Sequence, residues 1–154
     1  MKENKFLKLI FPYFSNPIES RFVNFFNQIS ITQLRKSNQK KMEIIPYNII
    51  NNLDLRTSIL IKNIPQCLKK ETVIDLFYNN KKIDYIYIPF NECNNRLLGF
   101  IFINVIKPIY ILDIINILEN CKSNFLFKSN KSCEICYSNL QGKNSFIKAF
   151  GPGF

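Results

Sequence analysis

Leu98-Gly99-Phe100-Ile101-Phe102-Ile103-Asn104-Val105 is the stretch that decides the architecture of this 154-residue chain. Successive residues of a β-strand point to opposite faces. Phe100 and Phe102 therefore project from one side, and Ile101, Ile103 and Val105 from the other. The aliphatic side requires a hydrophobic core. The ringed side can be satisfied by more core, or by flat partners such as nucleobases that stack on it.

The flanking segments supply the rest of a small domain. Residues 57–63 are β-branched and apolar and read as a strand. Residues 69–78 place Val73, Leu76 and Phe77 on one helical stripe. Residues 83–88 alternate, with Ile86 and Ile88 against Tyr85 and Tyr87, and Pro89 ends the run. Residues 90–96 read as a polar loop. After Pro108, Ile111, Ile114, Ile115 and Leu118 form a second helical stripe. Residues 131–138 read as a fourth strand. Gly142 interrupts the pattern, residues 143–150 read as a short final helix, and Gly151-Pro152-Gly153 cannot continue it. The order β-α-β-β-α-β is the split βαβ of the ferredoxin-like α+β fold. It predicts a four-stranded antiparallel sheet with two helices on one face, plus a C-terminal helix. The parities agree: Ile59, Ile61, Ile86, Ile88, Ile101, Ile103 and Ile135 can all face the helices, and such agreement between independent segments supports one geometry.

Residues 55–150 thus read as the folded domain and residues 1–54 as a basic extension. Within the extension, Ile18, Phe22, Phe25, Phe26 and Ile29 fall at helical spacing. Residues 18–29 have two readings: an amphipathic helix that docks on a protein partner or on the domain, or, slightly favoured, a marginal helix in a partly disordered extension. Residues 35–41 (Arg-Lys-Ser-Asn-Gln-Lys-Lys) read as a solvated basic linker, suited to touching phosphate or to nuclear import. Lys2, Lys5 and Lys8 before Leu9-Ile10-Phe11 faintly resemble a targeting segment, but Glu3 and Pro12 interrupt it and a small-residue cleavage site is missing.

Lys and Arg number 21 against 11 Asp and Glu, a net charge of +10. The excess is spread: residues 1–56 hold 9 basic and 4 acidic residues, and the remainder 12 and 7. An anionic partner is the usual reason for such a balance. The prevalence of Asn, Ile, Lys, Tyr and Phe points to compositional drift as a second source of the basicity. The cysteines are odd in number (Cys67, Cys93, Cys121, Cys133 and Cys136), which fits free thiols in a reducing compartment. Cys133-x-x-Cys136 has the spacing of half a zinc site, but no histidine or second Cys pair completes it, so no metal or cofactor is expected. No run approaches the roughly 18 apolar residues of a membrane span, and no membrane partner is expected. The chain does not read as an enzyme. Without histidine the commonest general base is missing, and no glycine-rich phosphate loop or carboxylate pair stands out.

Four stretches, in order and at domain spacing, carry a family resemblance. They are Arg56-Thr57-Ser58-Ile59-Leu60-Ile61-Lys62-Asn63-Ile64-Pro65, Asp84-Tyr85-Ile86-Tyr87-Ile88-Pro89, Gly99-Phe100-Ile101-Phe102-Ile103-Asn104, and Cys133-Glu134-Ile135-Cys136-Tyr137-Ser138-Asn139-Leu140-Gln141-Gly142-Lys143. Together they resemble the carboxy-terminal RNA recognition motif of the Mei-two-like family. The resemblance implies single-stranded RNA as the partner, bound on the sheet face that the helices leave open. Phe100 and Phe102 would then be the stacking platform. Leu60 stands where the general motif presents an aromatic, and Leu98 where it presents Arg or Lys. Tyr85 and Tyr87 share the face and can stack a base or donate a hydroxyl to its edge. Lys62 can reach a phosphate and Arg96 adds counterion-releasing charge. Glu134 and Cys136 lie on the same face of the fourth strand, and Asn139, just after it, can read a base edge.

Two alternatives stay open at this level. Phe100 and Phe102 can instead be covered by the final helix, with Phe146, Ile147 and Phe150 as its apolar side. The same scaffold can also serve as a protein-binding module with little RNA binding. Peptide-binding relatives typically lose the sheet aromatics and gain an Arg-x-Phe before the fourth strand. This chain keeps Phe100 and Phe102 and has no Arg in residues 121–131, which favours RNA. An RNA-regulating or RNA-processing protein is expected in the nucleus or the cytoplasm, with the nucleus favoured.

Overall fold

The computed structural model describes residues 42–77, 79–123 and 133–153. The readings made for residues 18–29 and 35–41 lie outside the described residues.

Strand β1 (Ser58–Lys62) and the central strand β5 (Phe100–Val105) are antiparallel, with Leu60 opposite Phe102 and Lys62 opposite Phe100. Strand β2 (Ile83–Tyr87) flanks β5, and strand β6 (Glu134–Tyr137) flanks β1, giving the order β2-β5-β1-β6. Each is antiparallel to its neighbour. Helix α2 (Lys70–Phe77) follows β1, and helix α3 (Ile111–Ser123) follows β5 through a 3-10 turn at Pro108–Tyr110. This is the β-α-β-β-α-β order, with helix α4 (Lys143–Phe150) appended.

The core lies between the sheet and the first two of these helices. Ile59, Ile61, Ile101 and Ile103 of the central strands are buried against Val73, Phe77, Ile111, Ile114 and Leu118. Each isoleucine sits on the face that strand parity predicts, because a one-residue slip would turn every side chain to the opposite side. Ile86 and Ile88 are buried in the same core, and Ile135 packs against it half-buried.

Two elements depart from the sequence reading. A short helix α1 (Pro46–Ile50) precedes β1, opened by Pro46, whose fixed φ suits a first turn. Its Ile49 enters the core, and Met42 and Ile44 pack against it. The compact unit therefore begins at Met42. Residues 90–96 form more than a loop: β3 (Phe90–Asn91) and β4 (Arg96–Leu97) pair as a hairpin. Phe90 opposes Leu97, and Leu97 is buried, so the hairpin has its own apolar anchor. Its tip is held by side-chain turns, in which Asn91 Oδ1 accepts the Cys93 amide and Asn94 Oδ1 accepts the Arg96 amide. Short polar residues hid these strands from a periodicity argument.

Candidate nucleic-acid interface

The sheet face opposite α2 and α3 is organised by register into rows. One row runs across all four strands as Tyr87, Phe102, Leu60 and Cys136. On one side of it lie Tyr85, Asn104 and Ser58, and on the other Phe100, Lys62 and Glu134. A bulge between Ile83 and Tyr85 lets Ile83 pack against the core while Tyr85, and with it Tyr87, points to this face; beside the bulge Asn104 Nδ2 donates to Asp84 Oδ1 at 2.7 Å. The aromatics that the sequence places on one face are therefore together.

They are also covered. Helix α4 lies on this face, with Phe146 fully buried, 5.4 Å from the Tyr85 ring and 5.6 Å from the Phe102 ring between centroids. Phe150 packs 4.8 Å from Phe102 and stacks on Tyr87. Phe102 has no exposed surface, and Phe100, edge-on to it at 5.8 Å, retains 8%. Of the two arrangements that the sequence allows, the closed one is observed. The reason is the hydrophobic effect: a bare face of four rings would hold several hundred Å² of apolar surface in water, and an adjoining helix with two phenylalanines removes it. Ile147, expected on the inner side of α4, is instead 39% exposed, because only residues i and i+4, here Phe146 and Phe150, point inward over eight residues.

The RNA recognition motif 2 family matches residues 56–151. The chain belongs to this family. Among its relatives, it is 33% identical to the meiosis protein mei2 of Schizosaccharomyces pombe over 104 residues, which is 66% of this chain and 14% of mei2. It is 30% identical to protein MEI2-like 4 of Oryza sativa subsp. japonica over 118 residues, 75% of this chain and 12% of the relative. The chain thus spans a small part of the length of the proteins it matches. A solved structure titled Sxl-lethal protein/RNA complex aligns with a TM-score of 0.41 at 17% identity, covering 57% of this chain and 50% of that one.

In this RNA recognition motif, α4 covers the β2 and β5 side of the face more fully than the β1 and β6 side. Leu60 is buried, whereas Lys62 and Cys136 are half-buried and Glu134 is exposed. Burial pushes the Cys136 thiol up, against the opposing pull of the Lys62 ammonium. Leu98 is half-buried just before β5, and Arg96 is exposed on the hairpin. Asn139 follows β6 half-buried, with its Nδ2 buried and given no hydrogen-bond partner among the described residues. Lys69, Lys81, Lys82 and Lys143 are exposed around the domain, while Lys70 is half-buried with its Nζ 3.8 Å from the centre of the Phe90 ring. Among the described residues, no group of three or more His, Cys, Asp or Glu converges as a metal site would require.

Sequence reasoning did not find the polar latch beneath α4. Gln141 Oε1 accepts the amides of Thr57 and Ser58 at 3.1 and 3.0 Å, while its Nε2 donates to the carbonyls of Ser58 and Ser138 at 2.9 and 2.8 Å. The Gly142 amide donates to Ser58 Oγ at 2.8 Å. Gly142 takes φ +90, a left-handed conformation that glycine adopts without strain, and so turns the chain from β6 onto the sheet. The signal available in sequence was the Leu140-Gln141-Gly142-Lys143 stretch, but Thr57 and Ser58, which share three of the four bonds of Gln141, lie more than eighty residues away.

Proposed function

We propose that this domain binds single-stranded RNA on the aromatic sheet face, as a non-catalytic module in RNA regulation or processing. The observation that carries the reading is the placement of Tyr85, Tyr87, Phe100 and Phe102 on one face, opposite the helices, within a chain of the RNA recognition motif 2 family. Flat rings on a rigid sheet stack unpaired bases at about 1–3 kcal/mol per base. Lys62 on the face, the exposed lysines of the domain and Arg96 on the hairpin add an attraction to phosphate that does not depend on sequence.

Engagement of the rings requires α4 to lift. Re-exposing Phe146 and Phe150 costs about 1.5–3 kcal/mol each, close to what two stacked bases return. The stacking exchange is therefore near balance, and phosphate contacts tip it toward binding. Affinity should accordingly fall steeply with salt.

Fluorescence polarisation with short labelled single-stranded RNAs tests the reading. A chain carrying Phe100→Leu and Phe102→Leu keeps aliphatic bulk but loses both π-faces. It should bind at least about tenfold more weakly while its circular dichroism is unchanged. Equal affinity in the two proteins would move the contact from the sheet to the basic segments. A second reading, protein binding, draws on the exposed apolar residues Tyr47, Leu53 and Leu55 near α1. It gains if no RNA binds at any salt concentration.

A further inference from the structure

We infer that the apolar end of the sheet, where α1 lies against the Pro108–Tyr110 turn, is the surface on which two copies of this chain pair. The inference deepens the protein-binding reading by naming the partner, and it holds whether or not the aromatic face takes RNA. Three contacts assemble this surface from separate stretches. The Val105 amide donates to the Thr57 carbonyl at 3.0 Å, which sets the exit of β5 beside the approach to β1. The Leu53 amide donates to the Asn48 carbonyl at 2.8 Å and folds the chain back onto α1. Helix α1 in turn packs on the 3-10 turn. Six large apolar side chains stand exposed along these segments: Tyr47, Ile50, Leu53, Leu55, Ile106 and Ile109. Each keeps 43–70% of its surface in water. Side chains of this size and exposure amount to on the order of 500 Å² of apolar surface, near the upper end for a lone monomer. A standard interface covers about 800 Å² per partner, of which about 60% is apolar. The patch is therefore about as large as one half of a stable pairing.

Charge selects the occupant. The chain carries 21 Lys and Arg, yet residues 42–55 and residues 108–121 contain none, and no other stretch free of both is as long. These are the two stretches that meet where α1 packs on the turn. Of the charges beside the patch, Asp54 is paired with Arg56, and Lys82, whose carbonyl accepts the Ile106 amide, is held by Asp113 at 2.9 Å. Lys81, Lys107 and Glu43 stand exposed at the rim. The apolar centre is therefore nearly neutral on a chain of net charge +10. RNA and anionic lipid headgroups, which a basic surface attracts, gain nothing from it. Two cationic chains repel each other least at this face, and joining there buries both copies of the patch. An isologous contact about a two-fold axis sets each patch on its own counterpart and closes the assembly at two.

Analytical ultracentrifugation of the full chain tests the pairing. The wild type should sediment as a monomer–dimer equilibrium at micromolar concentration. Raising the salt from about 0.15 M to about 0.5 M should strengthen it, because like charge is screened while apolar contact is not. Tyr47→Lys plus Leu53→Lys sets like charges face to face and should raise the dissociation constant at least about tenfold. Its circular dichroism should be unchanged, since both residues are exposed. Tyr47→Glu plus Leu53→Glu should weaken pairing in the same way. An equimolar mixture of the two variants should dimerise again, because a self-facing patch then sets Lys against Glu. A wild type that stays monomeric up to about 100 µM overturns the pairing and leaves the patch to a different protein. Association that falls with salt, that survives the lysine variant, or that the mixture does not recover overturns the self-facing contact. RNA binding by the wild type, read by polarisation, is a separate measurement: its absence sinks the RNA-binding reading and leaves the pairing standing.

Discussion

The Ser58 hydroxyl accepts the Gly142 amide at 2.8 Å and donates to Asn104 Oδ1 at 2.7 Å. One buried hydroxyl thereby joins the start of β1, the end of β5 and the entry to α4. Asn104 carries the connection on to Asp84 at the bulge of β2. Three strands and the covering helix share this chain of polar contacts on an otherwise apolar sheet. Such a network is stable because its members satisfy one another, and losing one member strands the rest.

Gln141→Ala removes a side chain that satisfies four backbone groups at once. Leaving part-buried amides and carbonyls unpaired should lower stability by about 2–4 kcal/mol. Urea unfolding measures it. A loss within about 0.5 kcal/mol, the range of an ordinary surface substitution, would mean that water replaces the amide.

Phe102→Ala should cost about 3–5 kcal/mol, because the ring has no exposed surface and packs against Phe146 and Phe150. Phe102→Leu should cost clearly less, since it leaves a smaller void. Chemical denaturation of both variants checks the order. The same difference is why the leucine substitution suits an RNA-binding test, where a destabilised protein would mimic lost recognition.

The Arg56 guanidinium beside Asp54 holds that carboxyl below the ordinary 3.8 through its side-chain hydrogen bond, with Nε to Oδ1 at 2.9 Å and the ion pair at 2.6 Å. A depressed folded-state value adds stability that is present above the unfolded value and lost as pH falls through the folded one. Thermal unfolding followed from about pH 5 to pH 2 should therefore show a steeper decline for the wild type than for Asp54→Asn. Parallel curves would mean that the pair contributes nothing.

The five cysteines should separate by access. Cys67 and Cys93 are exposed and should react first with a disulfide reagent near pH 8. Cys121 is buried, and the Cys136 thiol is both half-buried and pushed up, so little thiolate is available there. Both should react only as fast as the domain opens. Mass spectrometry of partly labelled protein identifies the sites, and prompt labelling of Cys136 would contradict its half-buried place at the β6 end of the row that Phe102 and Leu60 share.

Much of the fold was legible because strand parity is a local property. The isoleucines at 59, 61, 86, 88, 101 and 103 could face a core in only one register, and each of them is buried. Helix α4 was legible at its residues, 143–150, and its alternative role as a cover was visible in Phe146 and Phe150. The β3–β4 hairpin and α1 were not legible, because each is too short to show a period.

The β-α-β-β-α-β order of the main elements, the two-faced sheet and the gathering of Tyr85, Tyr87, Phe100 and Phe102 on one side follow from the amino-acid sequence alone, since alternation and helical spacing are written residue by residue. Whether those rings meet solvent, a base or the chain itself was decided in three dimensions. That outcome depends on where Gly142 turns the chain, on Ser58 and Gln141 holding the turn from opposite ends of the domain, and on Gly153 fitting against Tyr85. These are contacts between residues far apart in the chain. Their energies exist only once the sheet has formed, so no local pattern can announce them.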